Sequence, residues 1–149
     1  MMKHSFGMIA LLLLMCGPVA PGTKHSTGKI TVKLTGFKNS SGMAGISIYN
    51  SPAGFPSDPF KSMKIEFVAI DENAATITFS SLAEGEYAIS AFHDENNNGR
   101  LESTWYGAPK EGVGVSNNIR GNFGAPKFDE AKFLLDRTEK VISINLFYL

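Results

Sequence analysis

Between Asp94 and Glu102 the chain reads Asp-Glu-Asn-Asn-Asn-Gly-Arg-Leu-Glu, with Asp94, Asn96 and Asn98 at alternate positions ahead of Gly99. Side-chain oxygens at positions 1, 3 and 5, glycine at 6, a main-chain carbonyl at 7 and a further group at 9 make the first half of a calcium loop. On that template the metal ligands are Asp94, Asn96, Asn98, the carbonyl of Arg100, and Glu102, while Gly99 makes the turn. Position 12, a bidentate glutamate in helix-loop-helix sites, is Trp105 here, so the loop is no EF-hand. Glu111 is a candidate late ligand. Only carboxylate, amide and carbonyl oxygens are on offer, which makes calcium the expected cofactor ahead of magnesium. Plain turn chemistry is the competing reading, because Asn, Asp and Gly tolerate left-handed backbone angles and bond their own main chain.

Other reactive side chains are weaker candidates. His93 adjoins Asp94, yet neighbours on a strand point to opposite faces, so the pair forms no dyad unless the strand ends between them. A hydrogen-bonded structural histidine is the simpler reading. Zinc is disfavoured on count, since His4 lies in the amino-terminal apolar segment, His25 in a polar lead, and a lone His93 without cysteine cannot build a nitrogen and sulfur cage. Ser116, in Gly114-x-Ser116-x-Asn118, lacks the second glycine of a nucleophile elbow and a histidine to activate it. Asp94 and Glu102 as a glycosidase pair are conceivable, but their spacing suits convergence on a cation. No catalytic residue is assigned. Trp105 is expected to anchor the loop by burying against a sheet, with a sugar-stacking platform as the alternative. With it, His93, Tyr106, Glu111, Ser116, Asn117, Asn118 and Phe123 make up the expected ligand face.

The elements that must position these residues read as strands. Ile30, Val32 and Leu34 alternate with polar residues, as do Ile46 and Ile48, and this period of two marks half-buried strands. Ser51 to Pro59 is too proline-rich for a sheet interior and reads as a crossing loop. A weak edge strand is expected at Phe67–Ile70, a turn at Asp71–Asn73, and a strand at Ala75–Phe79. Gly85 to His93 is apolar or small on both faces, which predicts a central strand. Phe128–Phe133 could open as a helical turn before a short strand, and Val141–Leu149 is expected to close the fold. From Asp94 to Lys127 no strand or helix is evident. A segment this long and this rich in aromatics is expected to be an ordered, functional loop. Within it Tyr106-Gly-Ala-Pro-Lys110 is echoed by Phe123-Gly-Ala-Pro-Lys127, two similar aromatic turns that could frame a pocket, with turn chemistry alone as the alternative source of the match. The fold class is therefore all-β, an antiparallel sandwich of immunoglobulin or prealbumin type, spanning residues 30–149 as one domain with a long loop at 94–127.

The amino terminus pairs Lys3 with an apolar run ending near Met15 and small residues through Gly22, the pattern of a signal peptide over residues 1–22. That run is too short for a membrane span of roughly 20 residues. A polar lead follows at 23–29, and export to the periplasm or beyond is expected. Cys16 offers a lipoprotein alternative, weakened by Met15 where a small residue belongs. Cys16 is also the only cysteine, so the domain has no disulfide and depends on its core. Removing residues 1–22 takes Lys3 from the 14 basic residues and nothing from the 14 acidic ones, leaving a net charge of −1. Nucleic acid is excluded as a partner, because the basic residues form no stripe to neutralise phosphates.

Taken together, Gly85-x-Tyr87-Ala, His93-Asp-Glu-Asn96-x-Asn98-Gly99, Gly107-x-Pro109-Lys-Glu111-Gly-x-Gly114-x-Ser116-Asn117-Asn118 and Gly124-x-Pro126-x-Phe128 resemble the exported bacterial domain-of-unknown-function family 2141. The resemblance covers roughly residues 30–149 and implies export, a small β-rich domain and a shared polar loop; it implies no activity. Leu82-x-x-Gly85-x-Tyr87 separately resembles the strand entry of prealbumin-like and collagen-adhesin repeat sandwiches, where the tyrosine packs at a corner. The expected function is a non-enzymatic extracytoplasmic binding or accessory domain, its face organised by the calcium-type loop, with an envelope protein, peptide or glycan as partner. Two alternatives stand beside it: a hydrolase-type enzyme using His93, Asp94 or Glu111, and a purely structural envelope domain.

Overall fold

The computed structural model describes residues 27–121, 124–136 and 138–149. The expected signal peptide and most of the polar lead therefore lie outside the described residues, as does Phe123. Alternation of apolar and polar residues builds β1 (Gly28–Thr35), whose Ile30, Val32 and Leu34 are buried while their neighbours face water. Then come β2 (Met43–Tyr49), β3 (Lys64–Ala69), β4 (Ala75–Leu82), β5 (Gly85–Asp94), β6 (Val113–Val115), the short helix α1 (Phe128–Ala131), β7 (Phe133–Leu135) and β8 (Glu139–Asn145). The proline-rich stretch after β2 is indeed a crossing loop of turns ending in a short 3-10 turn at Pro59–Lys61.

Two sheets result. One has the order β4-β1-β8 and the other β3-β2-β5-β6, with β7 also pairing β5. Their inner faces make a single core in which Ile30 and Val32 of β1 meet Ile46 and Ile48 of β2, Ile89 of β5 and Ile144 of β8. Each such side chain contributes roughly 1.5–3 kcal/mol on burial, which supplies the stability that no disulfide provides. The central-strand expectation for β5 holds: Tyr87, Ile89 and Ala91 face this core, while Ala88 faces a smaller outer cluster with Tyr49, Val115, Phe128 and Ala131. At the entry to β5 the Tyr87 hydroxyl donates to the Ala83 carbonyl at 2.8 Å, so the tyrosine does pack at a sandwich corner.

The fold is an all-β sandwich, with two departures in detail. β8 runs parallel to β1, from Lys29 opposite Glu139 to Thr35 opposite Asn145, whereas every other pairing between strands is antiparallel. The chain enters β8 beside the start of β1, where Lys29 N–H donates to Thr138 O at 2.9 Å, and runs on in the direction of β1. The second departure concerns residues 94–127, which are not all loop. They contain β6 and a 3-10 turn at Ser116–Asn118, and the isolated bridge between Val113 and Phe147 ties β6 to the chain beyond β8.

Candidate functional site

β5 carries His93 and Asp94 to its far end and turns them apart, as strand alternation requires. Asp94, only 1% exposed, aims its carboxylate along the loop that follows. Its Oδ1 accepts from Asn98 N–H at 3.0 Å and its Oδ2 from Gly99 N–H at 2.8 Å. Asn96 Oδ1 accepts from the same Asn98 N–H at 3.1 Å, and Asn98 Oδ1 accepts from Arg100 N–H at 2.8 Å. Glu102 closes the ring, its Oε1 receiving the side-chain amides of Asn96 and Asn98, each at 3.2 Å. Asp94 and Glu102 thus address the same residue, Asn98, one at the main chain and the other at the side chain. A carboxylate or amide oxygen has two lone-pair directions, so these bonds leave acceptor capacity on the loop.

Two glycines permit this path. Gly99 has φ +73°, and a Cβ there would meet nothing closer than the Phe67 ring at 4.0 Å, so the backbone angle alone requires glycine. Gly42, at φ +74°, abuts the Asp94 carbonyl, which any Cβ would strike. Glu111 is the strut that sequence spacing marked only as a late ligand. It is 5% exposed, and its Oε1 and Oε2 accept from Glu95 N–H at 3.2 Å and Glu102 N–H at 3.1 Å, clamping the two ends of the loop together. Among the described residues no group of three or more His, Cys, Asp or Glu is placed to hold a metal. Any cation here must draw on asparagine and main-chain oxygens as well as acids.

Directly beyond Glu102 the chain makes a small hairpin. Lys110 N–H donates to Glu102 O, Ser103 bridges Pro109, and Thr104 N–H donates to Ala108 O at 2.7 Å. Its tip is Trp105-Tyr106-Gly107, and Trp105 is 96% exposed. The expectation that Trp105 buries against a sheet is therefore overturned: a turn between two short arms points its side chains away from the body. Tyr106, also exposed, meets Trp105 edge to face at 5.3 Å between ring centres.

Three other members of the expected ligand face, His93, Glu111 and Ser116, are internal. His93 is fully buried, its Nε2 2.6 Å from Ser41 O and its Nδ1 2.7 Å from the Tyr148 hydroxyl. A carbonyl can only accept, so Nε2 carries the proton and Nδ1 accepts from Tyr148. Phe37 packs edge-on against the imidazole. Tyr148 receives Lys38 N–H in turn, and burial pushes its phenol above the ordinary value. The Lys38 ammonium, 2.7 Å from Glu95, is held above its usual range chiefly by that hydrogen bond. Ser116, fully buried, accepts Ile89 N–H and donates to Ala131 O at 2.6 Å. Asn117 donates to the carbonyls of Glu130 and Lys132, and Asn118 bonds Ser143 O and Asn145 N–H at the edge of β8. These asparagines are exposed, with left-handed backbones, and they staple segments together. His93, Glu111 and Ser116 are thus removed from the ligand face because main-chain groups and core partners occupy them.

Among the described residues two neighbouring grooves lie open near the hairpin. One, of about 500 Å³, runs over the outer face of the second sheet between Phe60 and the Gly99–Leu101 segment. The other, of about 650 Å³, lies between the hairpin and the chain end, lined by Tyr106, Pro109, Arg120, Phe147 and Leu149. They share Ser57, Leu101 and Val113. No local pattern signals the first, which arises from loops distant in sequence, whereas the second lies between the echoed turns, lined by Gly107, Ala108 and Pro109 of one and Gly124, Ala125 and Pro126 of the other.

Residues 32–143 match a family described as an uncharacterized protein conserved in bacteria (DUF2141), and the match spans the sandwich, the polar loop and the hairpin. The chain belongs to this family. No curated protein and no solved structure matches it. Membership in DUF2141 assigns no activity. Among the described residues no helix is long and apolar enough to cross a membrane.

Proposed function

We propose that this chain is a non-enzymatic extracytoplasmic binding or accessory domain whose Asp94–Glu102 loop is of calcium type and sets the position of the exposed hairpin. The observation that carries the reading is the convergence of Asp94, Asn96 and Glu102 on Asn98. In that arrangement the oxygens at positions 1, 3, 5 and 9 of the template gather along one short loop, and a cation would replace amide donors as the partner of Glu102. Export rests on the amino-terminal sequence. The hydrolase alternative is disfavoured because its three actors are engaged elsewhere: His93 with Ser41 and Tyr148, Asp94 and Glu111 with main-chain N–H groups.

One observation favours a purely structural role instead. The same carboxylates already satisfy four main-chain donors, so the loop closes without an ion. Limited proteolysis separates the two. The susceptible bonds lie at the hairpin tip, residues 103–107, because 112–116 is mostly buried and partly strand. With calcium bound, cleavage at the tip slows relative to chelated protein. Equal rates in both conditions would leave the structural reading.

A further inference from the structure

We infer that the Trp105–Tyr106 hairpin docks the domain on an anionic lipid surface. This deepens the proposed binding reading by naming the partner of the hairpin face, and it rests on that reading though not on calcium. Trp105 at 96% exposure and Tyr106 at 66% stand at the tip of a convex turn, where side chains gain nothing for the fold. Trp and Tyr have an apolar body and a polar edge, which suits the headgroup level of a bilayer. Leu149, 81% exposed, lines the same groove as Tyr106 and widens the apolar area.

Charge selects the surface. Arg100 and Lys110 flank the hairpin and are exposed, and among the described residues neither is in an ion pair. Arg120, on the wall of the Tyr106 groove, lays its guanidinium over Phe147 at 4.6 Å. Of the acids of this region, Asp94 and Glu111 are buried on main-chain amides and Glu95 is paired with Lys38, while the exposed Glu102, bonded to two asparagines, keeps its negative charge. Arg100 and Lys110 at the base of the hairpin and Arg120 on the groove wall thus outnumber the exposed Glu102 beneath the aromatic tip, a balance complementary to phosphate headgroups. A glycan fits less well, because the two rings meet edge to face at 85° on a projection and offer no concave platform.

Trp105 is the only tryptophan in the chain, so its emission reports the tip alone. The full chain is mixed with vesicles of phosphatidylcholine, or of phosphatidylcholine with phosphatidylglycerol, carrying bromine-labelled acyl chains, with calcium or with chelator. Quenching and a blue shift on the anionic vesicles are expected, with weak response to the neutral ones. Tyr106→Ala, which keeps the reporter, should weaken partitioning about tenfold, the effect of exposing one aromatic ring. Lys110→Gln should weaken it about fivefold on anionic vesicles only. Unquenched Trp105 on both vesicle types would overturn the inference, as would quenching undiminished by both substitutions, which would mean another segment carries the chain to the bilayer. A shift with soluble cell-wall glycan fragments but not vesicles would also overturn it, in favour of a glycan. Quenching that ignores calcium upholds the lipid inference while removing calcium's role in it.

Discussion

At the scale of single residues, the polar loop is held by carboxylates that sequence spacing named and by partners it did not name. Asp94→Ala should abolish any calcium heat and also cost about 1–3 kcal/mol in chemical denaturation, because it leaves the Gly99 amide without an acceptor and the Asn98 amide with Asn96 Oδ1 alone. Glu95→Ala removes only the bond to Lys38 and should leave the calcium isotherm unchanged. Tyr148→Phe deprives the buried His93 Nδ1 of its donor, at a cost of about 1–3 kcal/mol measured the same way. The alternation of Asp94, Asn96 and Asn98 was legible because their bonds are local. His93 with Ser41 and Tyr148 was not, because its partners are 52 and 55 residues away in sequence. Trp105 misled because its apolar bulk favours burial, whereas its place in a turn between hydrogen-bonded arms decides exposure.

At the scale of elements, two left-handed glycines position the loop on the sandwich. Gly42 lies against the Asp94 carbonyl at a left-handed angle, and Gly99 is left-handed in open space. Gly99→Ala should therefore cost only the backbone term of about 1–2 kcal/mol, and Gly42→Ala, which adds a collision with backbone, should lower the melting temperature further. Equal effects would mean the β2 entrance does not support the loop. Ser116→Ala unpairs Ile89 N–H and Ala131 O, joining groups of β5 and α1, and is expected to cost about 1–3 kcal/mol. β1, β2, β4 and β8 were legible because alternation reveals which side of a strand is buried, and β5 because a run that is small or apolar on both faces marks a central strand. Alternation does not say which strand lies next door, so the parallel β1–β8 pairing was invisible. β6 escaped because Val113-Gly114-Val115 is short and its glycine lowers strand propensity; its place is fixed by Ser90–Phe92 and Phe147.

At the scale of the whole molecule, a core without disulfides carries buried phenols. Burial raises the pKa of Tyr49, Tyr87 and Tyr148 above the ordinary value. A raised folded-state value for an acid means stability that is complete below the unfolded pKa and is lost as pH climbs through the folded one. Stability should thus fall above about pH 10, where free phenols ionise, and in a Tyr106→Phe background, which removes the exposed phenol, phenolate absorbance should appear together with unfolding rather than before it. The central claim is that the Asp94–Glu102 loop takes calcium and so organises the exposed hairpin. Titration calorimetry of the full chain with calcium tests it most directly. The expected result is a saturable isotherm with Kd of about 10⁻⁴–10⁻³ M, the range of extracellular modules, retained by Glu95→Ala and absent from Asp94→Ala. No heat from the wild-type chain across that range, together with an unchanged melting temperature, would contradict it and leave the loop as a self-capped turn.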